Sequence, residues 1–336
     1  AGWYMDKDLN ITTKKPSDNY MYYNNGVLTL KNFSRWVTTS RIISSTGDLT
    51  INLEGKNTFA SQDYYAIFAE GKLTIQGSGT LYIDGTDCCA IRSNGDMVIE
   101  ADITVDVTND AAMSVGGNLS LDANLISTSS TGNAINCKGN FSALGGSAKL
   151  TGKGTNYPAL YVNNELRNYD CDIDVESVYT AVSIGYGSLR HYGGFFTASS
   201  SASHGLYAYE KVYIQAGFVR IEGALDGIRA NTVQVHSGEL RVSSKNTASD
   251  STYRAVRVYS NNTTYFDVRD HLYQSAGTGS NAASTGTLKV ANLADYDYLS
   301  GGQDRYPGNS SLRRSVSGIR QHQPHIYQAL RRLRLL

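Results

Sequence analysis

Residues 170–176 read Asp-Cys-Asp-Ile-Asp-Val-Glu. Alternate residues of an extended strand share one face, so Asp170, Asp172, Asp174 and Glu176 would align four carboxylates. Clusters of hard oxygens can hold Ca²⁺, which makes Asp172, Asp174 and Glu176 the candidate metal ligands. Carboxylates this close repel, and a cation or Lys149 must offset them; a solvated acidic face is the other reading. A second group is aromatic. Tyr161, Tyr186, Tyr207, Tyr209 and Tyr213 fall in one stretch of chain, near Asn, Asp and Arg side chains. Flat rings beside such groups suit a sugar, whose C–H groups pack on the π face. Tyr161, Tyr207, Tyr209, Tyr213 and Arg229 are the candidate ligand-binding residues. Cys88, Cys89, Cys137 and Cys171 show no zinc spacing with each other or with the histidines, and packed thiols are expected.

The elements that must position these residues come from a repeat. A small residue followed by an apolar one recurs at Ala66-Ile67, Ala90-Ile91, Ala112-Met113, Ala134-Ile135, Ala159-Leu160, Ala181-Val182, Gly205-Leu206, Gly227-Ile228 and Ala255-Val256. The spacings are 24, 22, 22, 25, 22, 24, 22 and 28 residues. Each unit continues with an apolar-x-apolar triplet such as Leu73-Ile75 or Met97-Ile99, a turn, and a second alternating pair such as Leu81-Ile83 or Ile103-Val105. Self-similarity at this period marks a solenoid. A unit this short cannot bury a core alone, but stacked units can. The reading is all-β: a right-handed parallel β-helix of about ten coils of 22–25 residues, with three short strands per coil. At ~4.8 Å per coil the rod would be on the order of 50 Å long.

Three regions follow. Residues 1–26, polar and aromatic, read as an N-terminal cap; 27–302 as the β-helix; 303–336 as a basic tail, whose amphipathic segment His325–Leu336 is a cap, a membrane or partner contact, or a sequence artefact. The tail holds seven Arg and one acidic residue, Asp304. The whole chain is formally neutral, so the remaining 1–302 carries 23 basic and 29 acidic residues. That balance argues against binding nucleic acid through its phosphates. No run of 18 apolar residues is long enough for a transmembrane helix. A first residue other than Met suits an exported product or an excised piece of a longer chain.

The units Gly47-Asp48-Leu49-Thr50-Ile51, Gly71-Lys72-Leu73-Thr74-Ile75-Gln76-Gly77-Ser78-Gly79-Thr80-Leu81 and Asn94-Gly95-Asp96-Met97-Val98-Ile99 carry a resemblance. They are similar to the Gly-x-Leu-Thr-Ile repeats of secreted bacterial parallel β-helix proteins, a family described as carbohydrate-binding-domain-containing. The resemblance covers roughly 27–245. It implies a secreted or extracellular cell-surface protein that binds polysaccharide, acidic in some relatives, with Ca²⁺ as a cofactor in some. The matching residues are core and turn residues, so no binding residue transfers.

The resemblance also makes catalysis worth testing, because many β-helices cut polysaccharides. Glycoside hydrolysis needs carboxylates converging across the scissile bond. The Asn-Thr-Asp, Asp-Asp and Arg-Ile-Lys motifs of polygalacturonase-like helices are absent, and His204-Gly205 stands alone. For lyase chemistry Asp174 and Arg220 share a face but lie two coils, roughly 10 Å, apart. The expected function is therefore non-catalytic polysaccharide binding on the lateral face. A structural or adhesive protein, self-associating through the solenoid ends, is the alternative; a lyase or hydrolase is the minority reading.

Overall fold

In the computed structural model the described residues are 2–6, 8–235, 238–245, 256–258, 265–268, 271–275 and 287–292. Among them there is no helix; the chain is all β, a parallel solenoid of about nine turns. Strands one coil apart pair in parallel, giving three stacks. The first runs from Ile43–Ser45 through Ile67–Ala69 and Ile91–Ser93 to Val256–Val258. The second runs from Val27–Lys31 through Leu49–Glu54 and Leu73–Gly77 to Tyr265–Val268. The third runs from Ser34–Val37 through Lys56–Ser61 and Thr80–Gly85 to Glu239–Ser244.

Register explains the periodicity. Leu73 lies between Leu49 and Met97, and Ile75 between Ile51 and Ile99, so like residues stack on like. All six are buried. The small residues that open the units, from Ala66 to Ala181, are fully buried where the chain bends between stacks. A larger side chain there would overpack a close-packed interior. All four cysteines are free and buried. Burial pushes the Cys137 thiol up to about 11 and Cys171 to about 12, so they stay protonated packing groups.

Both described ends abandon the parallel pattern. Trp3–Asp6 pairs antiparallel with Ile11–Thr12 and with Tyr20–Asn24, which pairs antiparallel with Val27–Lys31. The second stack is thereby extended to a two-residue edge strand, which offers little template for further pairing. At the other end Thr287–Asn292 runs antiparallel to Glu239–Ser244 and to His271–Ser275. The His325–Leu336 segment lies outside the described residues.

Candidate functional site

The tyrosines gather on the coils between Leu160 and Ile214. There the second stack is built from Leu166–Asn168, Leu189–His191 and the end of Leu206–Ile214. Register aligns Arg167, Arg190 and Tyr213 on its outer face. The turns entering these strands carry Tyr186, 68% exposed, and the strand residue Tyr209 beside it, 6.2 Å between ring centres. The turns leaving them carry Tyr169 and Tyr192, whose rings stack at 5.1 Å with 13° between planes. Tyr213 meets Tyr192 edge-on at 6.4 Å. Three successive strands, each about 10 Å long, thus hold two arginines and a tyrosine between two tyrosine pairs.

Charge is concentrated at the centre. Glu165, with a side chain only 15% exposed, accepts hydrogen bonds from both Arg167 and Arg190. Burial would raise its carboxyl, but the Arg190 and Arg167 guanidiniums outweigh that and hold it below the usual range. Two guanidiniums share one carboxylate, so the centre keeps a net positive charge. The half-exposed guanidiniums present planar donors suited to sugar hydroxyls or a carboxylate.

The turn behind Tyr192 needs glycine. Gly194 has φ +73° and Gly217, one coil on, has φ +87°. A Cβ on Gly217 would sit 2.6 Å from the Gly194 carbonyl oxygen. Only glycine fits both the left-handed backbone and the stacking distance.

The residues singled out from sequence divide. Tyr209 and Tyr213 belong to this face. Tyr161, Tyr207 and Arg229 lie on the first stack, half-buried. The Tyr161 hydroxyl donates to Asn163 Oδ1 at 3.1 Å, and the Arg229 guanidinium covers the Tyr207 ring at 5.7 Å. Arg229 also approaches His204, whose Nδ1 accepts the backbone N–H of buried Asp226 at 3.2 Å. Phe68, in register with Arg92 on the same stack, is only 7% exposed because Tyr65 stacks on it at 5.5 Å and Arg41 covers it at 4.3 Å.

The acidic strand does not converge as its spacing suggested. It spans Asp172–Ser177, so Asp170 falls in the preceding turn. Asp172, Asp174 and Glu176 are successive outward residues, each roughly 6.6 Å from the next. Asp172 Oδ1 accepts the Phe195 N–H at 3.2 Å, and Asp174 Oδ1 accepts the Thr197 hydroxyl. Lys149 sits in register with Asp174, as expected. Among the described residues no group of three or more His, Cys, Asp or Glu is placed to hold a metal ion. Arg220, considered for lyase chemistry, is engaged within its own strand by Glu222, as Arg241 one coil on is by Glu239.

A shallow groove of about 580 Å³ also crosses the third stack, lined by Lys56, Tyr82, Asp102, Asn124 and Ile126 among others. Part of its polar lining is committed, since Asn124 donates to Asp102 through both its N–H and its Nδ2. It holds a single aromatic ring and no paired guanidiniums.

The signal for Arg167, Arg190, Tyr169 and Tyr192 was present but interrupted. Their strands have Asn168 and His191 where other coils have Ile75, Ile99 or Ile214. The apolar-x-apolar triplet therefore breaks in the very coils that carry the face. Aligning on Leu166 and Leu189 alone would have recovered the column.

Fold and face together define a parallel β-solenoid that presents an aromatic and guanidinium surface on its flank. The profile of the family described as carbohydrate-binding domain-containing protein matches residues 37–251, and the chain belongs to that family. No match was found among curated proteins, and none among solved structures. No helix among the described residues is long and apolar enough to cross a membrane.

Proposed function

We propose that this protein is a non-catalytic polysaccharide-binding rod, secreted or held at the cell surface, which engages glycan along the Tyr169–Tyr192–Tyr213 face. The observation that carries the reading is the in-register column Arg167, Arg190, Tyr213 bounded by paired tyrosines. Aromatic surface supplies contact for sugar C–H groups, and rigid planar donors orient hydroxyls or carboxylates. Coils repeat at ~4.8 Å, near the length of one sugar ring, so one chain lying along the rod meets successive coils. Family membership agrees with this use. Self-assembly through the ends is the less favoured reading, because the N-terminal hairpin leaves so short an edge.

The test is native affinity electrophoresis of the full chain through polygalacturonate, arabinoxylan and hydroxyethylcellulose, with Ca²⁺ and with chelator, while assaying product release. Retention without cleavage is expected, weakened roughly tenfold by Tyr192→Ala, the scale of a lost aromatic contact. Cleavage would overturn the non-catalytic reading. Absence of retention on every glycan would overturn binding. Equal retention with chelator would remove Ca²⁺ from the account, and with it the roles considered for Asp172, Asp174 and Glu176.

A further inference from the structure

The inward column beside this face is apolar except at two adjacent coils. It reads Ile51, Ile75, Ile99, Leu121, Ala143, then Asn168 and His191, then Ile214 and Val235. Asn168 and His191 are completely buried. Placing two polar side chains in a solenoid core costs stability unless their bonds are met. They fall in the two coils whose turns carry the stacked Tyr169 and Tyr192.

Asn168 holds both turns. Its Oδ1 accepts the Cys171 N–H at 3.0 Å and its Nδ2 donates to the Cys171 carbonyl at 2.8 Å, closing the turn that contains Tyr169. Its backbone carbonyl accepts the Tyr192 N–H at 2.7 Å. With Oδ1 committed to an N–H, the amide orientation is fixed, and Nδ2 faces His191 Nδ1 at 3.2 Å. That nitrogen must then accept, so the imidazole must be neutral. On the far side the ring meets Phe196 edge-on at 6.1 Å, and any Cβ on Gly217 would lie 2.6 Å from Nε2.

We propose that the Asn168–His191 pair positions the Tyr169–Tyr192 stack, and that protonating His191 releases it, so that the face loses its ligand in acid. The proposal rests on the binding role assigned to this face. A proton on Nδ1 would set two donors against each other within a closed core, and the side-chain contact between the two tyrosine turns would open. The surroundings offer the cation no counter-charge. Asn168 below, Ile214 above, Phe196 opposite and the neutral Cys171 thiol in the adjoining turn carry no charge. Asp172, Asp170 and Asp122 act on Cys171, and Glu165 is committed to Arg167 and Arg190 outside the sheet. Burial accordingly drives the imidazole down to about 4, the Gly194 backbone opposing this only in part.

The experiment uses the full chain and two readouts. The first is retention by whichever of the named polysaccharides binds, from pH 7 to pH 3. The second, without ligand, is the near-UV circular dichroism of the stacked pair, isolated as the difference between wild type and Tyr192→Ala. His191→Gln can still accept from Asn168 but does not titrate; it should keep retention and the tyrosine signal across the range. The double variant Asn168→Ile/His191→Ile restores the column of other coils. It should fold with a melting temperature no lower than wild type, yet lose roughly tenfold in retention and most of the tyrosine signal. Wild-type retention and signal in the double variant would overturn the positioning role. Acid loss unchanged in His191→Gln would overturn the protonation role. A His191-dependent tyrosine signal in a protein that retains no glycan would support the positioning device while sinking the binding role.

Discussion

His191 is the residue with most at stake in its protonation state. An unfolded chain titrates it near 6.5, the folded one near 4. Between those values the unfolded chain binds more protons. The stability contributed by neutral burial is complete above pH 6.5 and is lost as pH falls through 4, about 3 kcal/mol in all. Glu165, held low by two arginines, acts in the same direction at the acid end. Urea unfolding at pH 7 and pH 4 should show a loss of that order, and His191→Ile should shrink it. An undiminished loss would place the acid sensitivity elsewhere. Phe141, fully buried in the second stack, makes a contrasting case. Phe141→Ala should cost about 3–5 kcal/mol at every pH, read from the shift in urea midpoint.

At the scale of the element, side-chain ladders lock one turn to the next. Asp96 Oδ1 accepts from the Asn118 N–H and Nδ2, Asn118 Oδ1 does the same for Asn140, and Asn140 Oδ1 takes the Glu165 N–H. Asn118→Ala breaks the chain in the middle and should cost about 1 kcal/mol, measured by thermal melting; no loss would mean that water replaces the ladder. This scale also shows what the sequence could and could not convey. The strands were legible because Ile, Leu and Val alternate with polar residues at a fixed period. Inward apolar residues are dictated by the core. Turns were not legible, because their lengths vary and their residues answer to backbone geometry, as Gly194 and Gly217 do. Tyr169 and Tyr192 stand in such turns, and the strands before them are disguised by Asn168 and His191. The outward residues Tyr209 and Tyr213 could be placed from the repeat; Phe68 could not, since its burial comes from Arg41 and Tyr65 outside its own strand.

For the whole molecule, the covering of the N-terminal edge bears on whether rods pair edge to edge. Removing residues 1–26 would bare the edge of Val27–Lys31, with Leu28 and Leu30 beneath it. An uncovered parallel edge is a template for pairing. The truncated chain should elute as oligomers in light-scattering chromatography at neutral pH, whereas the intact chain should not. A monomeric truncation would show that the hairpin serves another purpose.

The backbone hydrogen bonds that join one coil to the next run along the rod, and each joint is much like its neighbours. Tension between the two ends would therefore load the joints in series. Such a rod yields one coil at a time at its weakest joint, each step paying out about 80 Å of extended chain, so the protein would behave under pull as a molecular fuse.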